Sequence, residues 1–460
     1  VLGLSAGIIQ LYLSRPFCKG RFMQRVVDIV KSAKVDFVEI WFCDILGFLK
    51  SQVVTPPELE RAAEDGIGID GSSLRGVMPI KASDMVARLD PATFALIPWR
   101  KDYKVGRVMA DLYHPNGEPF SGDPRTILKN VLAKVKEAGF NVYIGPEIEY
   151  FYFRSSERAE LVERCGYFDI LPDDAATKMH CRTIEYLAAM GIEVEKAHHE
   201  AAPSQHELDL RYDEALRMAD KILTTRYVIK TVARQEGLHA TFMPKPIATV
   251  NGSGMHTHIS LFTGSRNAFF DKDDEYHFSK VGKQFIAGLL KHSRQITLLT
   301  NQWVNSYKRL TPGFEAPVYV CWAQGNRSVL ARVPIYKKGK ETATRIEYRS
   351  PDPACNPYLA IAAIVAAGFE GIKNKYELGA PFEGDVYTIA LSEEEMKKHE
   401  ISTLPGSLVE AIVEAENSKL VREILGEHAF RELIRMKRKE WLDFSRCITQ
   451  YELDTYLPIL

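Results

Sequence analysis

Two periodicities take turns along the chain. Val26, Val27 and Val30 fall on one helical face within Phe22–Ala33, and the stretch from Phe37 to Val54 is rich in β-forming residues with an interruption at Gly47. The first spacing predicts a helix and the second a hairpin. Turn-forming residues cluster at Asn116-Gly117-Glu118-Pro119 and Ser121-Gly122-Asp123-Pro124, after which a helix is predicted from Thr126 to Ala138, stopped at Gly139. A small β-rich N-terminal domain over residues 21–119 follows, behind an N-terminal extension over residues 1–20. The large domain, residues 120–460, carries predicted amphipathic helices at Ala175–Met190, Asp213–Gln235 and Lys280–Leu299 between short strands, and reads as almost wholly helical from Ser407 to Phe444. The class is α+β. No G-x-x-x-x-G-K-[ST] phosphate loop occurs, which argues against a P-loop nucleotide fold.

Four segments of the large domain set ionisable residues two apart, the spacing that puts side chains on one face of a strand. Glu147 and Glu149 flank Ile148, His256 and His258 flank Thr257, Glu207 and Asp209 alternate with leucines, and Glu347 stands between Arg345 and Arg349. One such segment alone is the pattern of a half-exposed antiparallel strand. Four together, with Ile148, Tyr150, Ile259, Ile346 and Tyr348 on the reverse side, predict a sheet whose charged face lines a cavity for cations and anionic ligands. Carboxylates with one or two histidines form an oxygen-rich set suited to Mg²⁺ or Mn²⁺, and two metals are expected. His198-His199-Glu200 is followed by the turn Ala201-Ala202-Pro203-Ser204 and then Gln205-His206-Glu207, which would bring Glu200 beside Glu207. His206 is read as a structural histidine. Arginines on the loop Asn305–Pro317, at Arg327 and at Arg332 add groups that bond carboxylate or phosphate oxygens in pairs. Metals and arginines around one pocket indicate phosphoryl transfer.

Composition narrows the partners. The 460 residues are 46% hydrophobic and 26% charged with a formal net charge of −1, so no broad basic surface for nucleic acid or anionic membrane is expected, and a small-molecule partner fits better. Seven scattered cysteines, none spaced C-x-x-C, suggest neither a disulfide framework nor a zinc site and place the chain in a reducing cytoplasm. The apolar opening Val1 to Leu13 lacks a basic n-region and is too short to span a bilayer, so it is expected to be a docked or frayed extension.

Several motifs in order make the chain resemble type I glutamine synthetases from about Asp36 to the C-terminal helices. They are Asp70-Gly71-Ser72-Ser73, Gly145-Pro146-Glu147-x-Glu149, Gly166-Tyr167-Phe168, His198-His199-Glu200, Asn251-Gly252-Ser253-Gly254-Met255-His256, the Asn305–Pro317 loop, Asn326-Arg327-Ser328 and Arg345-Ile346-Glu347-x-Arg349. The resemblance implies a β-grasp-like N-terminal domain, and a large catalytic domain with a curved, mainly antiparallel sheet backed by helices. It implies one metal on Glu149, Glu200 and Glu207 and another on Glu147, His256 and Glu347. Glutamate would meet Arg309, Arg349, Asn251 and Gly252; the transferred phosphate Arg327 and Arg332; the nucleotide His258, Ser260 and Arg345. Ammonium would sit among Asp70, Ser73, Tyr167, Glu200 and Glu315, with Asp70 as proton acceptor and Glu315 as a shield against water. The implied reaction joins ammonia to glutamate through γ-glutamyl phosphate at the expense of ATP. The implied assembly is a dodecamer of two hexameric rings, in which a neighbouring subunit supplies Asp70 and Ser73.

Two departures bear on regulation. Leu74-Arg75-Gly76-Val77-Met78-Pro79 lacks the aromatic residue that relatives usually carry near Val77 and the arginine that the feedback-inhibited branch carries near Pro79, so that control is not expected. The surroundings of Tyr387 differ from those of the tyrosine modified in the adenylylated branch, and the shorter, non-adenylylated branch is expected. The rival readings are a sister ligase for a larger amine, such as methylamine or a polyamine, and a non-catalytic nitrogen-sensing scaffold.

Overall fold

The computed structural model describes residues 19–76, 83–170, 175–387 and 391–460. Residues 1–18, which hold most of the expected extension, and residues 77–82, which include Val77 and Pro79, lie outside the described residues. The two expected sheets are present. The smaller has five strands, β1 (Phe37–Cys43), β2 (Leu49–Val54), β3 (Ile67–Asp70), β4 (Asp84–Leu96) and β5 (Val105–Tyr113), in the order β2-β1-β5-β4-β3 with only β1 and β5 parallel.

Alternation along β1 explains how this sheet sits. Val38, Ile40 and Phe42 enter a core with Val26 and Val30 of the helix Lys19–Ser32, whereas Trp41 and Cys43 join the core of the large domain. The sheet is thus covered on both faces, by its own helices on one side and by the large domain on the other. The predicted hairpin turn anchors it. Gly47 has φ +85°, and a Cβ there would lie 2.9 Å from the Cα of Asn356, whose side-chain amide donates to the Ile45 carbonyl at 3.0 Å. Only glycine accommodates both the backbone conformation and the close approach.

The second sheet is built on β6 (Asn141–Phe153), with β7 (Val194–His199), β8 (Gln205–Leu210), β11 (Met255–Thr263), β13 (Trp322–Gln324), β14 (Ala331–Val333) and β15 (Ile346–Tyr348) in the order β13-β14-β15-β11-β6-β8-β7. Short strands β9 (Asp213–Glu214) and β10 (His239–Thr241) pair with β6, and β12 (Arg266–Asn267) pairs with β11. All pairs but β13–β14 are antiparallel. Ile148, Tyr150, Leu208, Ile259, Ile346 and Tyr348 are fully buried together in the main core, so the apolar side of the alternation is where the pattern placed it. The helix Ala215–Gln235 packs on β6. The C-terminal stretch is almost wholly helical. It forms Leu408–Glu416 and Lys419–Ser445, each N-capped by a serine, and the second is interrupted at Gly426 (φ 68°, ψ 165°).

A buried charge cluster ties the two domains. Arg125, at the start of the helix Pro124–Glu137, reaches Asp90 of β4 at 2.6 Å, Asp111 of β5 at 2.7 Å and Asp220 of the helix Ala215–Gln235 at 3.0 Å. Removing one member of a buried set strands the others without a counter-charge, which costs about 3–5 kcal/mol. Arg125→Met is therefore expected to lower the unfolding free energy by about that amount, measured by urea denaturation, with Asp90→Asn costing less because its side chain is partly solvated.

Candidate active site

Strand register assembles the charged face. Residues directly opposite one another on paired strands share a face. Across the sheet, Arg332 stands opposite Glu347, and Glu347 opposite His258. His256 stands opposite Glu147, Glu147 opposite Asp209, and Asp209 opposite Lys196; Glu149 stands opposite Glu207, and Glu207 opposite His198. Three rows of ionisable groups lie on one side of the sheet, and the contacts follow from them. Glu147 bridges both imidazoles of β11, at 3.1 Å from His256 Nδ1 and 2.8 Å from His258 Nε2. His198 Nε2 is 3.1 Å from Glu207, and Glu347 receives Arg332 on one oxygen and Arg349 on the other. Among the described residues, three groups on this face bring their ligand atoms within 4.8 Å of one another: Glu147 with Glu207 and His256, Glu147 with His258 and Glu347, and His198 with Glu200 and Glu207; a fourth, Glu163 with His199 and His206, does so away from it.

Burial and like charges strain this face electrostatically. Burial, with the Glu200 and Glu207 charges added, pushes Glu149 well above the usual carboxylate range. Burial and Glu207 raise Glu200 to about 7, and burial with Glu207 and Glu147 raises Asp209 to about 9. Elsewhere burial is overcome: hydrogen bonds from His256 and His258 hold Glu147 well below its ordinary value, and Arg349 with the two histidines holds Glu347 at about 2. The face thus carries more carboxylate than its own cations neutralise.

The comparisons with known proteins agree on one family. The model for the catalytic domain of glutamine synthetase matches residues 121–456, and that for the glutamine synthetase β-grasp domain matches residues 34–115. The chain belongs to the glutamine synthetase family. It is 46% identical over 441 residues to a glutamine synthetase from Mycolicibacterium smegmatis, covering 94% of this chain and 98% of that one. It is likewise 46% identical over 440 residues to the Thermotoga maritima glutamine synthetase, covering 95% and 99%. The cryo-electron-microscopy structure of Plasmodium falciparum glutamine synthetase superposes with a TM-score of 0.85 at 27% identity, covering 96% of this chain and 99% of that one.

The donor set fits the divalent metals used by glutamine synthetases. The clusters offer carboxylate oxygens with an imidazole in each and contain no cysteine, and their carboxylates repel one another in the absence of added positive charge. Glu149 stands slightly apart from the tight clusters. Its Oε2 accepts from the Gly254 amide at 2.8 Å and from Gln205 Nε2 at 3.1 Å, while Oε1 faces His256 Nε2 at 3.6 Å.

Most residues implied by the glutamine synthetase resemblance converge here. His258, Ser260 and Arg345 line one cleft of about 350 Å³ with Glu147, Lys196 and Tyr143. Asn251 donates to Glu315 at 3.1 Å, Glu315 lies close enough to Glu200 to raise it, and Arg327 hydrogen-bonds Tyr167. Gly252 and Gly254 admit Arg309 and His256: a Cβ at Gly254 would lie 2.5 Å from Arg309 Nη2 and 3.0 Å from His256 Nε2. Three placements bear on the sequence reading. Arg345 turns to His258 Nδ1 at 3.2 Å, and Arg332 takes its place against Glu347. Arg309 spends its fork on the carbonyls of Arg349, Ser350 and Pro351. Asp70 is exposed on β3, the edge strand of the small sheet, with Ser72 and Ser73 as its hydrogen-bond partners. His206 is fully buried beside Tyr152 and His199, as a structural histidine should be.

Sequence reading overlooked four contributors. Gln205 shares the Glu207 and Asp209 face of β8, a signal the spacing already contained. Lys196 meets Asp209 at 2.7 Å from the neighbouring strand, Glu163 holds His199 at 2.8 Å, and the Tyr387 hydroxyl accepts from Arg349 Nη2 at 2.7 Å. The last two join segments far apart in sequence and leave no local pattern.

The raised carboxyls set a pH dependence. Glu200 and Asp209 keep protons up to about pH 7 and about pH 9 in the folded chain, whereas unfolded carboxyls release theirs near 4.5 and 3.8. Between these limits the folded state binds more protons, so stability falls as pH rises; Glu147, Glu207 and Glu347, held low, are ionised in both states there and add no slope. Metal-stripped protein is expected to lose thermal stability from about pH 5 to about pH 9. Saturating Mg²⁺ should flatten the curve, and Asp209→Asn should make its upper part shallower, with Glu149 accounting for slope that remains.

Proposed function

We propose that the chain ligates ammonia to the γ-carboxylate of L-glutamate through γ-glutamyl phosphate, consuming ATP and giving L-glutamine, ADP and phosphate. The observation that carries this reading is the row of carboxylates and histidines flanked by Arg332 and Arg349, in a chain of the glutamine synthetase family. Glu149, Glu200 and Glu207 would hold one divalent metal beside glutamate and ammonium, and Glu147, His256 and Glu347 a second at the nucleotide phosphates. Bound there, Mg²⁺ or Mn²⁺ neutralises phosphate and carboxylate oxygens.

The chain's own groups do the rest. His258, Ser260 and Arg345 line the cleft that would take the nucleotide. Arg327 and Arg332 meet the transferred phosphate as a γ-carboxylate oxygen of glutamate bonds to phosphorus and the bond to ADP breaks. Arg349, Asn251 and Gly252 fix glutamate, and Arg309, bonded to the backbone carbonyls of residues 349–351, positions Arg349. Ammonium is held by Tyr167, Glu200, Ser73 and Asp70. Asp70, kept ionised by the Ser72 and Ser73 hydroxyls, takes a proton as the amine nitrogen attacks the acyl carbon and phosphate leaves. Glu315, at φ +52° on its loop, covers the acyl phosphate against water. Asp70 lies at an exposed edge of its own chain, which favours a neighbouring subunit completing each site in a dodecamer of two hexameric rings. Membership of the shorter, non-adenylylated branch is consistent with the Tyr387 hydroxyl accepting from Arg349, and the scattered cysteines suit a cytoplasmic enzyme.

Phosphate release from ATP with Mg²⁺ and glutamate, comparing ammonium, methylamine and putrescine, tests the reading. Turnover with ammonium yielding glutamine is expected. Preference for a larger amine would move the chain to the sister ligases, and no turnover with any acceptor would favour a scaffold. Asp70→Ala should cut amide formation by about 100-fold or more while leaving glutamate affinity within a few-fold; equal loss of both would contradict its role.

A further inference from the structure

A second cavity, of about 420 Å³, lies where the small sheet meets the large domain and shares no lining residue with the cleft on the charged face. Phe94, Ile97, Met190 and Ile192 supply apolar walls. Arg107 of β5 lines it too, only 4% exposed. Among the described residues no carboxylate comes within salt-bridge distance of this guanidinium. Its Nη1 donates to the Thr93 carbonyl at 2.7 Å, Nη2 reaches the Thr224 hydroxyl at 3.5 Å, and the buried Nε meets no acceptor. Trp41 lies under it at 5.3 Å.

The nearby acids are all committed. Asp220 accepts twice from Arg125 and once from Tyr358, and Glu39, in register with Arg107 on β1, turns to Arg100 and to Trp41 Nε1. Asp213 pairs with Lys221 at 2.6 Å. An unpaired buried charge is costly, and a planar fork with one side unsatisfied is matched by a carboxylate that accepts two hydrogen bonds. Burial lowers Arg107 to about 10, so it remains cationic at neutral pH.

We propose that this interdomain cavity binds a small monocarboxylate with an apolar body, the carboxylate on Arg107 and the body against Phe94, Met190 and Ile192. Because its walls come from both domains, occupancy fastens the small sheet to the large domain at Met190 and Ile192.

The test is titration of the full chain with hexanoate and benzoate, with acetate and inorganic phosphate as controls, followed by calorimetry and by tryptophan fluorescence, to which Trp41 contributes. Saturable binding of hexanoate or benzoate at one site per chain is expected, at least about tenfold tighter than acetate. Arg107→Met should weaken it at least about tenfold and Arg107→Lys less. Ala92→Trp, at an exposed lining position, should block the cavity while leaving the buried charge in place, and decides the question if Arg107→Met does not fold. Absence of saturable binding, or binding unchanged by Ala92→Trp, would overturn the proposal.

Discussion

The structure depends on a sheet face that buries more negative charge than the chain can neutralise. Glu147 and Glu149 on β6 stand beside Glu207 and Asp209 on β8, and Glu347 lies on β15 beyond β11; all are buried except the half-buried Glu147. Arginines at 332 and 349, Lys196 and the histidines offset part of it. The remainder shows as carboxyls that hold protons well beyond their ordinary range. A protein keeps such an arrangement only if added cations relieve it, and a site that binds metal also binds the phosphates that metals hold. The proposed chemistry needs that excess charge.

Holding repelling groups in place is the work of the reverse face and of the small domain. Every strand that projects a carboxylate inward packs an apolar side chain on its other side, with Ile148, Tyr150, Leu208, Ile346 and Tyr348 fully buried. A shift of one residue in register would exchange the two sets, so the core fixes the site. The small sheet is pinned by Gly47 against Asn356 and by Arg125 among three aspartates, and both anchors fix the platform that carries Asp70.

Much of this was legible because strand alternation reports faces directly. Glu147 with Glu149, and His256 with His258, could be assigned to one side of a strand before any strand was paired, and Ile148, Ile259 and Tyr348 to the other. Which cation meets which carboxylate was not legible. Arg345 is nearer to Glu347 in sequence than Arg332 is, yet the antiparallel pairing of β14 with β15 brings Arg332 across from it and leaves Arg345 to His258. Arg309 carries no local sign that its fork turns to backbone carbonyls, since that depends on the chain returning at residues 349–351. The break at Gly426 was missed because the apolar spacing continues through it. Asp70 was found only through its motif, for among the described residues its side chain bonds only to its neighbours Ser72 and Ser73.

The most direct measurement is isotope transfer from glutamate labelled with ¹⁸O in its γ-carboxylate, with ATP, Mg²⁺ and ammonium. If a carboxylate oxygen bonds to the terminal phosphorus and later leaves with it, each phosphate released with glutamine carries one labelled oxygen. Unlabelled phosphate alongside glutamine would contradict the acyl-phosphate route and with it the role given to the charged face.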